Sequence, residues 1–134
     1  MNKLIGIFLL GLFTVGPVMA EDGITLPVER QLEYYNAHDL EGFVAQYHED
    51  IEVYAYPGQL LLKGMNAFRE RYKRRFSDSP NVRAVIPHRY VLGNQVVDVE
   101  HVTDTGLEKD MRELIVVYTV EAGLISRVEF ISGR

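Results

Sequence analysis

The sequence predicts an α+β fold, with helices laid on one face of an antiparallel sheet. Three observations carry the prediction. Apolar residues between Leu26 and Phe76 recur mainly at helical spacing. From Val82 onward the chain reads as strands. The strand-like segments are separated by hairpin-sized turns, so consecutive strands must pair antiparallel, because parallel pairing needs long crossovers. Helices first and a meander second is the segregated order of an α+β domain.

The first twenty residues stand apart. Lys3 is the only charge before Glu21, Leu4 to Val15 is an apolar run, and Gly16-Pro17 breaks it ahead of Val18-Met19-Ala20. A basic start, an apolar stretch and a small-residue exit are the parts of a secretory signal. The uncharged stretch is shorter than the roughly 20 residues a membrane span needs and contains Pro17. Residues 1–20 are therefore expected to be a cleaved signal peptide and residues 21–134 the folded domain, with no stable membrane anchor after cleavage. The expected location is periplasmic or secreted, in a bacterium.

The elements then follow in order. Val28, Leu32 and Tyr35 fall on one face of a first helix, with Pro27 near its first turn. Asn36-Ala37-His38 interrupts it. Asp39 is placed to cap a second helix, whose stripe is Leu40, Phe43, Val44 and Tyr47 and whose end is His48-Glu49-Asp50. Ile51, Val53 and Ala55 alternate with polar or aromatic residues as a short strand, and Pro57-Gly58 is a turn. After Gly64, a third helix presents Met65, Phe68, Tyr72 and Phe76, and Ser77-Asp78-Ser79-Pro80 stops it. Strands are expected over Val82–Leu92, Gln95–Asp104, Met111–Glu121 and Leu124–Ser132. Gly93-Asn94 and Ala122-Gly123 are the tight turns, and Thr105–Asp110 a longer loop.

The chain has 134 residues, a formal charge of −5, no Cys and no Trp. The length matches one domain. Loss of residues 1–20 would remove Lys3 alone among the charges and move the balance from −5 to −6. An acidic chain lacks the basic surplus a nucleic-acid binder needs. The absence of Cys excludes disulfides, thiolate metal sites and a Cys nucleophile, and suits an oxidising compartment. His38, His88 and His101 lie on separate elements, and His48-Glu49-Asp50 are neighbours that rarely converge, so no metal and no cofactor is expected.

Period two sorts the sheet faces. Val97, Val99, His101 and Thr103 share one face of their strand; Leu114, Val116, Tyr118 and Val120 share one face of the next; Val128 and Phe130 share one on the last. The opposite faces carry Asp98, Glu100, Glu113, Arg127 and Glu129, but also Val102, Ile115, Val117, Ile125 and Ile131. A sheet covered on one side only should alternate cleanly. The leftover apolar residues point to a homodimer through the sheet.

Three strings, in this order, carry a family resemblance: Asn36-Ala37-His38-Asp39-Leu40-Glu41-Gly42-Phe43, then Tyr47-His48-Glu49-Asp50-Ile51-Glu52-Val53, then Gly64-Met65-Asn66-Ala67-Phe68. With the Arg127–Phe130 end, they resemble the SnoaL-like and ketosteroid-isomerase-like branch of the nuclear-transport-factor-2-like (NTF2-like) superfamily, over the whole of residues 21–134. The resemblance implies an NTF2-like cone: three N-terminal helices packed on a strongly curved antiparallel sheet, a pocket open at one end, and often a dimer through the sheet. It does not carry the isomerase chemistry, which uses an Asp general base and an oxyanion hole of Tyr and protonated Asp. The matching positions fall at Gln31, at Ala55 or Tyr56, and near Val116, none of which supplies those groups.

His101, expected to point into the cone between valines, is the candidate acid/base, with Tyr118 or Tyr35 to orient it. Its structural alternative is a half-buried histidine bonded to a Tyr hydroxyl or a carbonyl. Tyr34, Tyr35, Tyr47, Tyr54, Tyr56 and Tyr118 suit a pocket for a ring-shaped or amphipathic ligand, or plain packing. Gln31 and Tyr35 are one helical turn apart and would face the pocket together. The expected ligand-binding set is Gln31, Tyr35, Tyr56, Tyr118, Val99, Val116 and Phe130. Arg69, Arg71, Lys73, Arg74 and Arg75 form a basic cluster at the end of the third helix, where cations suit the dipole, and read as a solvated face. Two functions follow: an exported pocket protein binding a small apolar or amphipathic molecule with acid/base chemistry at His101, or a non-catalytic dimerisation or docking module.

Overall fold

A computed structural model of the chain describes residues 21–106 and 111–133. The expected signal peptide lies outside the described residues, and so does most of the loop before Met111. In chain order the elements are α1 (Glu21–Asn36), α2 (Leu40–Val44), β1 (Tyr47–Ala55), β2 (Gln59–Lys63), α3 (Met65–Asp78), β3 (Arg83–Leu92), β4 (Gln95–Thr103), β5 (Met111–Glu121) and β6 (Leu124–Ser132). The strands form one curved sheet in the order β2-β1-β6-β5-β4-β3.

Two expectations are corrected here. Only α1 and α2 precede the sheet, because α3 follows the β1–β2 hairpin. The sheet is mixed: β1 pairs parallel with β6, while every other neighbouring pair is antiparallel. The short spacing that forces antiparallel pairing applies to consecutive strands, and β1 and β6 are separated by most of the chain. Two local readings also shift. Pro27 lies inside α1, not in its first turn. Tyr47, expected on the second helix, opens β1, which leaves α2 only five residues.

The helix junction shows why the string from Asn36 to Asp39 has that composition. The Asn36 amide both donates to Ala84 O and accepts from Ala84 N, each at 2.8 Å, and so pairs with the backbone of edge strand β3. His38 turns the chain with φ 55°, places Nε2 2.7 Å from Val82 O and stacks on Phe76. Asp39 caps α2 by accepting from Gly42 N. These contacts fix α1 against β3 while α2 swings Phe43 into the core.

The core fills the space between helices and sheet. Val28, Phe43 and Phe68 come from the helices; Ile51, Val53, Val96, Val116, Ile125 and Val128 come from the concave side of the sheet. Phe43 lies within ring-contact distance of Tyr35, Tyr47, Phe68, Tyr72 and Phe76, which makes it the hub of an aromatic cluster. A one-residue bulge between Val85 and His88 takes in Pro87, which has no N–H to give the ladder, and bends the edge strand.

Candidate functional site

The concave face of β4 carries Val96, Asp98, Glu100 and Val102, all buried, whereas Val97, Val99, His101 and Thr103 alternate onto the outer face. This reverses the expected orientation of the strand. The β4–β5 register explains it: Val96 faces Tyr118, Asp98 faces Val116, Glu100 faces Leu114 and Val102 faces Arg112. On β5 the apolar row Leu114, Val116, Tyr118 and Val120 turns inward as expected. Residues opposite one another share a face, so the even-numbered residues of β4 must turn inward with it.

Both inward acids are matched with partners. Asp98, with no exposed surface, is held by Arg89 in a two-point ion pair, Nε to Oδ1 at 2.7 Å and Nη2 to Oδ2 at 2.8 Å. Glu100 accepts the Tyr118 hydroxyl at 2.6 Å. Behind Tyr118 runs a relay of one polarity. Tyr47 donates to Gln31 Oε1 (3.1 Å), Gln31 Nε2 donates to Tyr118 Oη (3.3 Å), and Tyr118 donates to Glu100 Oε1. All four side chains are buried. Burial pushes the Glu100 carboxyl up to about 7; the Tyr118 hydrogen bond and Arg89 oppose the rise, and the Asp98 charge adds to it. Tyr118 is pushed well above the usual phenol range, by burial first and by the Glu100 charge second.

Glu100 opens on a cavity of about 210 Å³ between α1, α3 and the sheet. Gln31, Tyr35, Tyr47, Tyr72, Leu114, Tyr118, Val128 and Phe130 form much of its wall. Tyr118 is the sole hydrogen-bond donor to the Glu100 carboxyl among the described residues, which leaves Oε2 for a ligand. The Tyr35 and Tyr72 hydroxyls have no hydrogen-bond partner among the described residues, and the pKa of each is raised, mainly by burial. They are candidate donors to a polar atom of a bound molecule. Among the described residues no three His, Asp or Glu side chains converge as a metal site.

Of the residues expected to form the site, Gln31, Tyr35, Tyr118 and Phe130 line the cavity. Four do not. His101 lies on the outer face, its Nε2 2.7 Å from Glu113 Oε2, so it neither looks into the cone nor meets Tyr118 or Tyr35. Val99 is on the same outer face, opposite Ile115. Val116 is fully buried in the core opposite Asp98 and does not line the cavity. Tyr56 follows β1 in the turn to β2 and is 63% exposed. Sequence reasoning passed over Glu100 and Tyr72. The sequence does pair Arg89 with Asp98, because a two-residue turn at Gly93-Asn94 sets them directly opposite on one face, but that pairing does not say which face turns inward.

A mixed, curved sheet with helices on its concave side and a cavity between them defines an NTF2-like, cystatin-like α+β protein. A SnoaL-like domain model matches residues 28–128, and the chain belongs to that family. Solved structures agree. A cystatin-fold protein of Novosphingobium aromaticivorans superposes with TM-score 0.74 at 26% identity, covering 81% of this chain and 97% of that one. A candidate ketosteroid isomerase of Kribbella flavida (TM-score 0.70, 16% identity, 84% and 79% covered) shares the fold. So does a candidate polyketide cyclase of Sinorhizobium meliloti (0.68, 16%, 78% and 92%). No curated protein sequence matches the chain.

Proposed function

We propose that this chain is an exported SnoaL-like pocket protein that binds a small apolar or amphipathic molecule and exchanges a proton with it through Glu100. The observation that carries the reading is the Glu100 carboxyl: buried, held on one oxygen by Tyr118 and open to the cavity on the other. A carboxyl that titrates near neutrality is present both as acid and as base at pH 7, which general acid–base catalysis requires. The relay through Gln31 and Tyr47 fixes Tyr118, so the accepting oxygen of Glu100 is held in one place. Proton abstraction next to a carbonyl would place the carbon acid at Glu100 Oε2 and the carbonyl oxygen against the Tyr35 or Tyr72 hydroxyl. The structural likeness to isomerase- and cyclase-like proteins supports this class of chemistry. A cavity of about 210 Å³ suits one ring with substituents, since an engineered cavity of roughly 150 Å³ already takes benzene.

The outer face of the sheet supports the proposed homodimer. Val99, Ile115 and Ile131 lie side by side across three strands, beside a second row of Tyr90, Val97 and Val117. Tyr90 is 66% and Ile115 37% exposed in the single chain. A second copy packed there would cover both rows.

The test is native mass spectrometry of protein taken from the periplasm, followed by NMR of α-proton exchange on small cyclic ketones in deuterated buffer. A co-purifying small molecule and exchange that rises through pH 7, retained in His101→Ala and lost in Glu100→Gln, are expected. Exchange no faster than buffer would remove the chemistry from the proposal. An empty cavity in protein from its native compartment would favour the docking-module reading.

A further inference from the structure

We propose that the cavity selects a small carboxylic acid, with Arg71, Arg75 and Arg112 holding the carboxylate at the mouth while the body of the molecule reaches inward to Glu100. This rests on the reading of the cavity as a binding site and adds the class of its ligand.

All three arginines line the cavity. Arg71 and Arg75 stand one turn apart on α3 and share a face; Arg112 comes from β5. Arg71 and Arg112 are exposed and Arg75 is half-buried, so they reach the cavity from its rim. None of the three forms an ion pair or side-chain hydrogen bond with another described residue, whereas Arg69, Arg89 and Arg127 each have an acidic partner. Three guanidinium groups around one opening, in a chain of net charge −5, form a local positive field that attracts an anion. Their charges reach the cavity tyrosines: Arg75 acts on Tyr35 and Tyr72, and Arg71 on Tyr72, to favour the phenolate form.

The sheet register puts Arg112 on the rim side of Glu100. Arg112 faces Val102, and Leu114 faces Glu100, so Arg112 stands one two-residue step, about 7 Å, beyond Glu100 on the same concave face. A ligand of about one six-membered ring, with a carboxylate at the rim and a polar group at Glu100, suits a cavity of about 210 Å³. Guanidinium groups bind carboxylates through paired N–H donors, which orients the ring as well as holding it. The basic cluster of α3, expected to be only a solvated face, thus divides: Arg71 and Arg75 turn to the cavity, whereas Arg69 pairs with Glu41.

Titration calorimetry with 4-hydroxybenzoate and its neutral amide, 4-hydroxybenzamide, tests the proposal. Wild-type protein is expected to bind the acid at least ten-fold more tightly than the amide, with the preference shrinking as salt rises. Combined Arg71→Gln, Arg75→Gln and Arg112→Gln should erase the preference for the acid over the amide. Arg112→Gln alone, at an exposed position, should lower acid affinity several-fold if the triple variant fails to fold. Equal binding of acid and amide, or a preference that survives the substitutions, overturns the clamp while the cavity remains a binding site. Binding of neither probe at millimolar concentration overturns both.

Discussion

Tyr118 and Glu100 meet at 2.6 Å although the register sets them four residue pairs apart, about 13 Å along the strands. They meet because both point to the concave side, where the curvature of the sheet makes long side chains converge. The bond joins neighbouring strands inside the cavity wall and opposes the rise that burial imposes on Glu100, the one carboxyl among the described residues that opens on the cavity. Most of the testable behaviour of the site follows from this pair.

Glu100→Gln should change the pH dependence of stability. The folded carboxyl titrates near 7, above the ordinary carboxylate value of 4.5, so between those values the folded state holds more protons than the unfolded one. Stability is therefore expected to fall as pH rises through that window, by a few kcal/mol at most. Gln keeps an acceptor for Tyr118 without the buried charge. Urea unfolding should show the variant more stable than wild type by about 1–3 kcal/mol at pH 8, with the difference vanishing near pH 4.

Tyr118→Phe removes the hydrogen bond that holds the Glu100 pKa down and takes the acceptor from Gln31 Nε2. Glu100 should titrate higher than in wild type, which carbon-13 NMR of the carboxyl would follow directly. Loss of the buried contacts should cost about 1–3 kcal/mol.

Arg89→Ala leaves Asp98 buried without its partner and should cost about 3–5 kcal/mol. Replacing both residues by Met should recover much of the loss, because the charges then leave the core together. Thermal unfolding of the two single variants and the double variant would measure the coupling.

His101→Ala should be nearly silent. The His101–Glu113 pair lies on the outer face with Glu113 63% exposed, and such pairs are worth less than about 1 kcal/mol. Binding in the cavity should be unchanged. A large loss of binding would mean that the imidazole acts on the site through the sheet.

Several elements of the fold are readable because their causes are local. The boundaries of Met111–Glu121 and Leu124–Ser132 follow from alternation and from Ala122-Gly123, whose positive φ angles of 50° and 79° suit a tight hairpin. Asp39 announces its cap, Asn36 ties the helix junction to β3, and His38 ties it to Val82 just before that strand. The β2 strand was not readable. Gln59–Lys63 is short, runs leucines together without alternation, and is defined by its pairing with β1.

The face taken by β4 is a different kind of fact. Valines stand at both parities of that strand, so its composition favours neither side. The side is chosen by pairing with β5, whose inward row of Leu114, Val116, Tyr118 and Val120 is unambiguous. Sequence by itself determined the order and type of most elements, the family resemblance and the tyrosines available to a cavity. Only the tertiary structure decided that Glu100, not His101, lies inside. A shift of one residue in register exchanges the two faces of a strand, and register is a property of two strands together.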